Sequence, residues 1–173
     1  MSLSNKVHPK YTLTLSSDKL KDRDYNNRKK STFNFETKDN YAYENIPYIM
    51  NKYSISIGQF KSGHRHAKNL IGMNLYLLED IDTPEGMVII KKLKEAGIEF
   101  YQVPSASFSL SQPYKWHLFI PLEKPASVYK DIFVKQKKLY YENLGIDISL
   151  FDLKAFSDPV RHFSPALISD GYM

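Results

Sequence analysis

Two aspartates, Asp80 and Asp82, lie two positions apart at the end of the apolar segment MNLYLLEDID, residues 73–82. Side chains alternate between the two faces of a β-strand, so a strand here would place both carboxylates on one face. Two such carboxylates repel each other unless a proton or a cation lies between them, and their oxygens suit a hard ion such as Mg²⁺. The segment therefore predicts a metal-binding strand end, although Thr83 and Pro84 also fit a helix start that the acids would cap.

A second segment, YKWHLFIPL at residues 114–122, predicts a strand that carries basic side chains. Alternation places Lys115 and His117 on one face. A histidine among apolar residues is more often a core residue whose ring nitrogens have partners. A lysine two positions away on the same face instead suits the binding of a phosphate group, so both interpretations stay open.

The segment at residues 149–165 contains a further acid in an apolar context. Asp152 follows two apolar residues, as the end of a hydrophobic strand would. Asp158 precedes a proline and is typical of a turn. Arg161 follows where the loop could fold back towards the other acids, either as a ligand for phosphate or as the partner of a carboxylate.

The elements that must position these residues alternate between strands and helices. Glycines at 97 and 145 mark two helix ends, and the order strand, helix, strand around residues 84–96 predicts a right-handed βαβ unit. We expect one domain of the α+β or α/β class. The predicted strands are residues 32–35, 53–58, 73–82, 98–103, 105–110 and 114–122, the last two joined by a turn, and the predicted helices are 43–53, 84–96 and 127–143. Residues 148–163 are predicted to mix a short strand with a loop.

Composition excludes several classes of protein. The 173 residues are 42% hydrophobic and 14% aromatic, which is enough for a sizeable core. The chain has no cysteine, so it has neither disulfides nor thiolate metal sites. No run of about 18 apolar residues and no secretory signal occurs, so we expect a cytoplasmic, intracellular protein without a membrane partner.

Positive charge is concentrated near the N-terminus. Residues 1–30 contain eight Lys or Arg and three Asp, whereas the remaining 143 residues contain 16 charges of each sign. A basic arm on a neutral body suits contact with a polyanion such as DNA, because neutralised phosphates release counterions. Basic tails are also commonly solvated and disordered. We expect residues 1–30 to be a flexible arm and residues 31–173 to be the domain that carries the candidate site residues.

In their order along the chain, these motifs resemble the archaeo-eukaryotic primase superfamily. They are the LEDID strand (78–82), the KWH strand (115–117), the lone acid Asp152 and the DPVR stretch (158–161). Within the superfamily, the chain is similar to primase-polymerase domains of phage and plasmid replication proteins, over residues 54–165. The resemblance implies an RRM-like sheet packed beside a second small α/β unit, with the active-site cleft between them.

The resemblance also implies a role for each residue. Asp147 and Asp158 compete with Asp152 as the third acid, and Arg65 lies in a stretch where relatives often carry a basic loop. The implied roles are catalysis and metal binding for Asp80, Asp82 and Asp152, and nucleotide binding for His117, Lys115, Arg161 and Arg65.

The function that the resemblance implies is DNA-templated nucleotidyl transfer. Nucleoside triphosphates would be joined on a single-stranded DNA template with Mg²⁺ or Mn²⁺, because attack on an α-phosphate suits two metal ions held by carboxylates. Many relatives continue into a helicase, so a replicative helicase is a further expected partner. The chain itself contains no GxxxxGK[ST] loop. It fits an excised domain, a stand-alone small primase, or a relative that binds nucleotides without polymerising them.

Two alternatives belong to other classes of protein. His64-Arg65-His66 faintly resembles the metal motif of rolling-circle replication nucleases, in which Tyr140 or Tyr141 would attack DNA. The central arginine departs from the apolar residue of that motif. The other alternative is a non-catalytic module that binds nucleotides or single-stranded nucleic acid by stacking bases on aromatic side chains. Its candidate residues are Phe33, Phe35, Tyr101 and Trp116.

Overall fold

The computed structural model describes residues 7–16 and 34–165. Within them the strands form three antiparallel sheets, in the orders β2-β1-β3-β9, β4-β5 and β6-β8-β7, which is an α+β architecture. The strands are β1 (Tyr11–Ser16), β2 (Phe35–Tyr41), β3 (Ile55–Ser56), β4 (Gly58–Phe60), β5 (Leu70–Met73), β6 (Tyr76–Ile81), β7 (Tyr101–Pro104), β8 (Trp116–Pro121) and β9 (His162–Phe163). The α-helices are α1 (Ile46–Met50), α2 (Met87–Glu95), α3 (Lys130–Asn143) and α4 (Leu153–Phe156).

The three-stranded sheet carries the two predicted chemical strands side by side. β6 and β7 both pair antiparallel with β8, so they run parallel to each other with β8 between them. The helix α2 connects them, and the expected βαβ unit is therefore split by an inserted strand. The register places Asp80 opposite His117, and His117 opposite Val103. Both functional residues consequently lie in one row on the same face of the sheet.

The four-stranded sheet includes part of the predicted N-terminal arm. Tyr11–Ser16 form β1, which pairs with both β2 and β3. Leu13 is fully buried, so this part of the arm belongs to the core and the expectation of a flexible extension is wrong there. Residues 1–6 and 17–30 of the arm lie outside the described residues.

Tyr76 connects the two larger sheets. Its side chain is fully buried and its ring stacks on Phe119 with 4.5 Å between the centroids. The hydroxyl donates to the carbonyl of Ser56 in β3 at 2.6 Å, and it accepts from the Nδ2 of Asn74 at 3.1 Å. The backbone N–H of Thr14 in β1 points to the same oxygen at 3.4 Å. One residue at the start of β6 thus fixes how that strand lies against the other sheet.

The opposite face of the three-stranded sheet carries a buried ion pair. Glu79 and Lys137 are 2% and 3% exposed, with 2.8 Å between Lys137 Nζ and Glu79 Oε1. The hydroxyl of Tyr141 donates to the same carboxylate oxygen at 2.8 Å, and Lys137 also donates to the carbonyl of Phe156 at 2.8 Å. Burial raises the pKa of Glu79 and lowers the pKa of Lys137, while the charge of each partner opposes these shifts. This network joins β6, α3 and α4.

The connection between β7 and β8 corrects a strand prediction. Residues 105–110 form turns, and β8 pairs with β7 instead. Serine side chains bind nearby backbone in this stretch: Ser105 Oγ accepts from the N–H of Ser107, and Ser109 Oγ accepts from the N–H of Gln112. Such local hydrogen bonds compete with a strand ladder, which is why an alternating serine-rich sequence turns here.

The predicted helices are present with shifted starts. α3 is the longest helix of the described chain, and Gly97 and Gly145 follow α2 and α3 with φ of +70° and +71°, as expected of helix ends. α2 begins at Met87, because Thr83 Oγ1 accepts from the N–H of Gly86 and caps a preceding turn. The expected helix at 43–53 is a 3₁₀ turn followed by α1, and the expected strand at 53–58 is split between β3 and β4.

Two smaller outcomes complete the fold. Residues 34–35 of the expected strand 32–35 lie at the start of β2, and residues 32–33 lie outside the described residues. In residues 7–16 and 34–165, no helix combines the length and the apolar character that crossing a membrane would require.

We expect Lys137→Met to lower the free energy of unfolding by about 3 to 5 kcal/mol, because it leaves the Glu79 carboxylate buried without a counter-charge. Replacing both partners, Glu79→Leu with Lys137→Met, should recover most of this loss, since neither charge remains. Urea denaturation of the two variants measures the difference.

Lys138→Met is the matched control, because Lys138 is 54% exposed on the same helix. It should change stability by less than about 0.5 kcal/mol. A Lys137→Met protein as stable as the unmodified chain would show that the ion pair does not hold β6 against α3.

Candidate functional site

The end of β6 presents two acid-base pairs across the strands. Asp80 Oδ1 lies 3.5 Å from Nε2 of His117, its partner in the register. Continuing the same antiparallel register by two residues places Lys115 opposite Asp82, and Lys115 Nζ lies 2.5 Å from Asp82 Oδ1. The predicted strands therefore bring all four of these residues together on one face, as alternation required.

Asp80 is a buried carboxylate whose charge is incompletely balanced. Its side chain is 17% exposed. Burial, and after it the charge of Asp82, raise the pKa of Asp80 to about 6, and Asp152 acts in the same direction. Arg161 and Lys115 act in the opposite direction. Among the residues that the structure describes, none donates a hydrogen bond to this carboxylate, so its ionised form is held at a cost.

Glu79, the preceding residue, shows what a compensated carboxylate looks like in this fold. It lies on the opposite face of β6, where Lys137 and Tyr141 both bind it. Glu79 and Asp80 thus lie in one strand but differ in their partners. The negative charge of Asp80 is incompletely neutralised only on the face of the sheet that also carries His117. A cation brought to that face would find a carboxylate that lacks a strong partner.

His117 does not supply positive charge to the site. It is 8% exposed, and its ring packs against Phe163 of β9 with 4.3 Å between the centroids. Burial, followed by the charges of Arg161 and His162, lowers the pKa of His117 to about 3, so the imidazole is neutral near pH 7. A neutral ring with its proton on Nε2 directs that proton towards Asp80. Its placement suits the positioning of this carboxylate.

Arg161 is folded back towards the acids by β9. Its backbone carbonyl accepts from Ser56 Oγ at 3.0 Å, directly before the two residues of β9. Its charge lowers the pKa of both Asp80 and His117. In the described part of the chain, the buried Nε of Arg161 has no hydrogen-bond partner. A donor in this position is suited to an anionic ligand.

Asp152 differs from its predicted context. It does not end a strand but is the N-cap of α4, and its Oδ1 accepts from the N–H of Lys154 at 3.0 Å. Asp147 and Asp158 make equivalent local bonds, to the N–H groups of Ser149 and Val160. The charge of Asp152 contributes to raising the pKa of Asp80, although its side chain is exposed.

Arg65 lies in the connection between β4 and β5 and reaches the C-terminal segment. Its Nη1 donates to the carbonyl of Val160 at 3.0 Å. Burial is the main cause that lowers its pKa, and the charge of Arg161 adds to this effect. The contact places Arg65 behind Arg161, where it supports the segment that carries that residue.

The residues on which the nuclease and the base-stacking hypotheses depend mostly interact with other residues of the protein. Nδ1 of His66 accepts from the N–H of Lys68, and the hydroxyl of Tyr141 is buried against Glu79, so neither is placed for cleavage of DNA. The aromatic candidates for base stacking also have partners inside the protein. Phe35 is buried beside Phe60, Tyr101 packs on Tyr43, Trp116 packs on Phe108, and Phe33 lies outside the described residues.

A pocket on the other side of the sheet is separate from these acids. Leu77, Leu122, Pro125 and Tyr140 line it, together with Lys137. Leu77 lies on the same face of β6 as Glu79, so the pocket opens beside the helices and not beside Asp80. The two acid-base pairs at the end of β6 lie outside this pocket.

A divalent cation fits the donor chemistry of Asp80 and Asp82. Residues 7–16 and 34–165 contain no group of three or more His, Asp or Glu side chains arranged to hold a metal ion. Mg²⁺, however, is usually held by one or two carboxylates, with water and substrate phosphates completing its shell. The incomplete balance around Asp80 is the feature that such an ion would relieve.

Sequence reasoning missed Glu79, Lys137 and His162. A signal was present for the first two, since each is a charged residue in the middle of an apolar face. Their pairing across 58 positions is not visible from either pattern alone. His162 follows Arg161 and has a buried Nδ1 without a hydrogen-bond partner among the described residues.

We expect Asp80→Asn to raise the free energy of unfolding by about 2 kcal/mol at pH 7.5. The pKa of Asp80 in the folded protein, about 6, lies above its usual value of 3.8, so ionisation costs stability as the pH rises through 6. Below about pH 4 the carboxyl is protonated in both states, and the advantage of the variant should disappear.

Urea denaturation between pH 4 and pH 8 measures this dependence. Glu123→Gln is the control, because Glu123 is an exposed acid that lies beyond the far end of β8. An Asp80→Asn variant without a stability gain at pH 7.5 would show that the carboxylate is better balanced than its surroundings indicate.

Comparisons with protein-family models, with curated proteins and with solved structures found no match. A proposal about the function of this chain therefore depends on its own residues and on their geometry.

Proposed function

We propose that this chain is a DNA-templated nucleotidyltransferase, a primase or primase-polymerase of a phage, plasmid or other mobile replicon. The observation that carries the proposal is the incompletely balanced Asp80 beside Asp82, with Lys115 and Arg161 close enough to influence its pKa. The residues come from β6, from β8 and from the segment before β9, which are far apart in the sequence. Their proximity in the fold supports the proposal that the order of motifs first suggested, a relation to the archaeo-eukaryotic primases.

The architecture is compatible with the cleft that this family would require. Asp80 and His117 lie on the face of the three-stranded sheet that Phe163 of β9 contacts. The proposed cleft therefore lies between the end of β6, with Asp80 and Asp82, and the C-terminal segment, and His117 and Lys115 come from the neighbouring strand. A single-stranded DNA template and a nucleoside triphosphate are the proposed ligands.

Each residue has a distinct task in the proposed reaction. Mg²⁺ or Mn²⁺ supplies, when bound, charge that activates a 3′-hydroxyl and stabilises the leaving pyrophosphate. Asp80 and Asp82 would hold the metal, and Asp152 would add negative charge from the start of α4. His117 would face Asp80 as a neutral neighbour, with its Nε2 3.5 Å from Asp80 Oδ1. Arg161 and Lys115 would neutralise phosphate oxygens, which is most of what phosphoryl transfer asks of a protein.

A non-catalytic domain that binds nucleotides is the second candidate. It would use the same cations, and the buried Nε of Arg161 without a partner in the described chain favours it equally. The two candidates differ in whether Asp80 and Asp82 are needed for more than ligand binding.

The test is extension of a primed single-stranded DNA, and synthesis without a primer, with Mn²⁺ or Mg²⁺ and labelled nucleotides. We expect the unmodified chain to form product. Asp80→Asn and Asp82→Asn should each lower the rate by about a hundredfold or more, since both would act on the metal. Circular dichroism confirms that each variant is folded.

Glu123→Gln is the matched control, because Glu123 is an exposed acid beyond the far end of β8. It should leave the rate unchanged. A protein that makes no product but binds nucleotide would support the non-catalytic candidate, and one that does neither would refute both.

A further inference from the structure

Lys115 contacts an acid of the proposed site, although the resemblance assigns it to a nucleotide. Its Nζ lies 2.5 Å from Asp82 Oδ1, which is the shortest polar contact around the acids. The side chain of Lys115 is 15% exposed and that of Asp82 is 46% exposed. The lysine side chain is therefore mostly covered by protein, and its ammonium binds the more exposed of the two acids.

The same ammonium influences both acids. It lowers the pKa of Asp80, and the contact with Asp82 raises the pKa of Lys115 itself. Among the described residues, this ammonium is bound directly to Asp82 and acts on Asp80 only through its charge. A divalent ion bound at Asp82 Oδ1 would compete with the ammonium for the same oxygen.

The backbone around Lys115 is anchored independently of its ammonium. Its carbonyl accepts from the N–H of Ser105 at 3.1 Å, so the peptide is fixed next to β8. The ammonium also lies 5.6 Å from the centre of the Tyr114 ring, which provides a second favourable surface nearby. An ammonium on a flexible four-carbon stem can change partners without a change in the backbone.

We propose that Lys115 is a displaceable counter-ion of the acid pair. Its ammonium neutralises Asp82 while no divalent cation is bound, and a bound cation releases it towards the phosphates of the nucleotide. This inference rests on the proposed function, because it assumes that Asp80 and Asp82 bind a divalent cation. It adds that the cation must compete with a residue of the protein.

Competition at one side chain has a thermodynamic consequence. A cation that binds alone must displace the ammonium and leave it without its carboxylate. When a nucleotide is present, the released ammonium gains a phosphate partner, so the two ligands favour each other's binding. This coupling is reciprocal and passes through Lys115.

The experiment measures Mn²⁺ binding by the full chain, from the electron paramagnetic resonance signal of free Mn²⁺. Without nucleotide, we expect Lys115→Met to bind Mn²⁺ about fivefold more tightly, because an exposed ion pair of this kind no longer competes. Lys115→Arg keeps the competing charge and should bind Mn²⁺ no more tightly than the unmodified chain. Adding a non-hydrolysable nucleoside triphosphate should tighten Mn²⁺ binding more in the unmodified chain than in Lys115→Met.

Asp80→Asn distinguishes the possible failures. Equal Mn²⁺ affinity in Lys115→Met and the unmodified chain, at a site that Asp80→Asn weakens, would overturn the counter-ion and leave the metal site standing. Binding that Asp80→Asn does not weaken in either protein would overturn both the metal site and the counter-ion. If Lys115→Met lowers the melting temperature, Lys115→Gln replaces it, since a neutral polar side chain also removes the competing charge.

Discussion

Glu79 and Asp80 are consecutive carboxylates in one buried strand, and the rest of the structure depends on how each is balanced. The period of two sends them to opposite faces of β6. Glu79 enters the layer between the sheet and the helices, where Lys137 and Tyr141 bind it at 2.8 Å. Asp80 enters the layer between the two larger sheets, where neutral His117 faces it at 3.5 Å. One face is therefore a closed ion pair, and the other is open to a ligand.

The C-terminal segment is held over the acids from both of its ends. At one end, Lys137 donates to the carbonyl of Phe156, the last residue of α4. At the other end, Ser56 donates to the carbonyl of Arg161 before β9. The ion pair on the closed face of β6 thus also contacts α4, the helix that Asp152 caps. A change in Lys137 would reach the site through α4, without a direct contact with Asp80.

Alternation alone predicted β6, β8, the shared face of Asp80 and Asp82, and the shared face of Lys115 and His117, because side chains of a half-buried strand repeat every two residues. It could not predict which strands pair, since register depends on contacts distant in sequence. β1 was hidden because its six residues lie within a stretch whose net charge indicated an arm. Asp152 was placed wrongly because an acid after two apolar residues fits a strand end and a helix cap equally well. In both cases the local sequence was compatible with two structures, and tertiary packing determined which one formed.

The raised pKa of Asp80 connects the stability of the fold to the proposed activity. Folding brings Asp80 and Asp82 together in a partly desolvated position. Their repulsion lowers the stability of the fold, and packing of the core offsets this loss. A cation that binds only the folded chain returns that free energy as affinity, because it removes the repulsion. In the proposed site, Lys115 already offsets part of this repulsion at Asp82, so a bound cation would gain only the remainder. The charges of two acids and one lysine would then determine both the stability of the fold without a cation and the affinity for one.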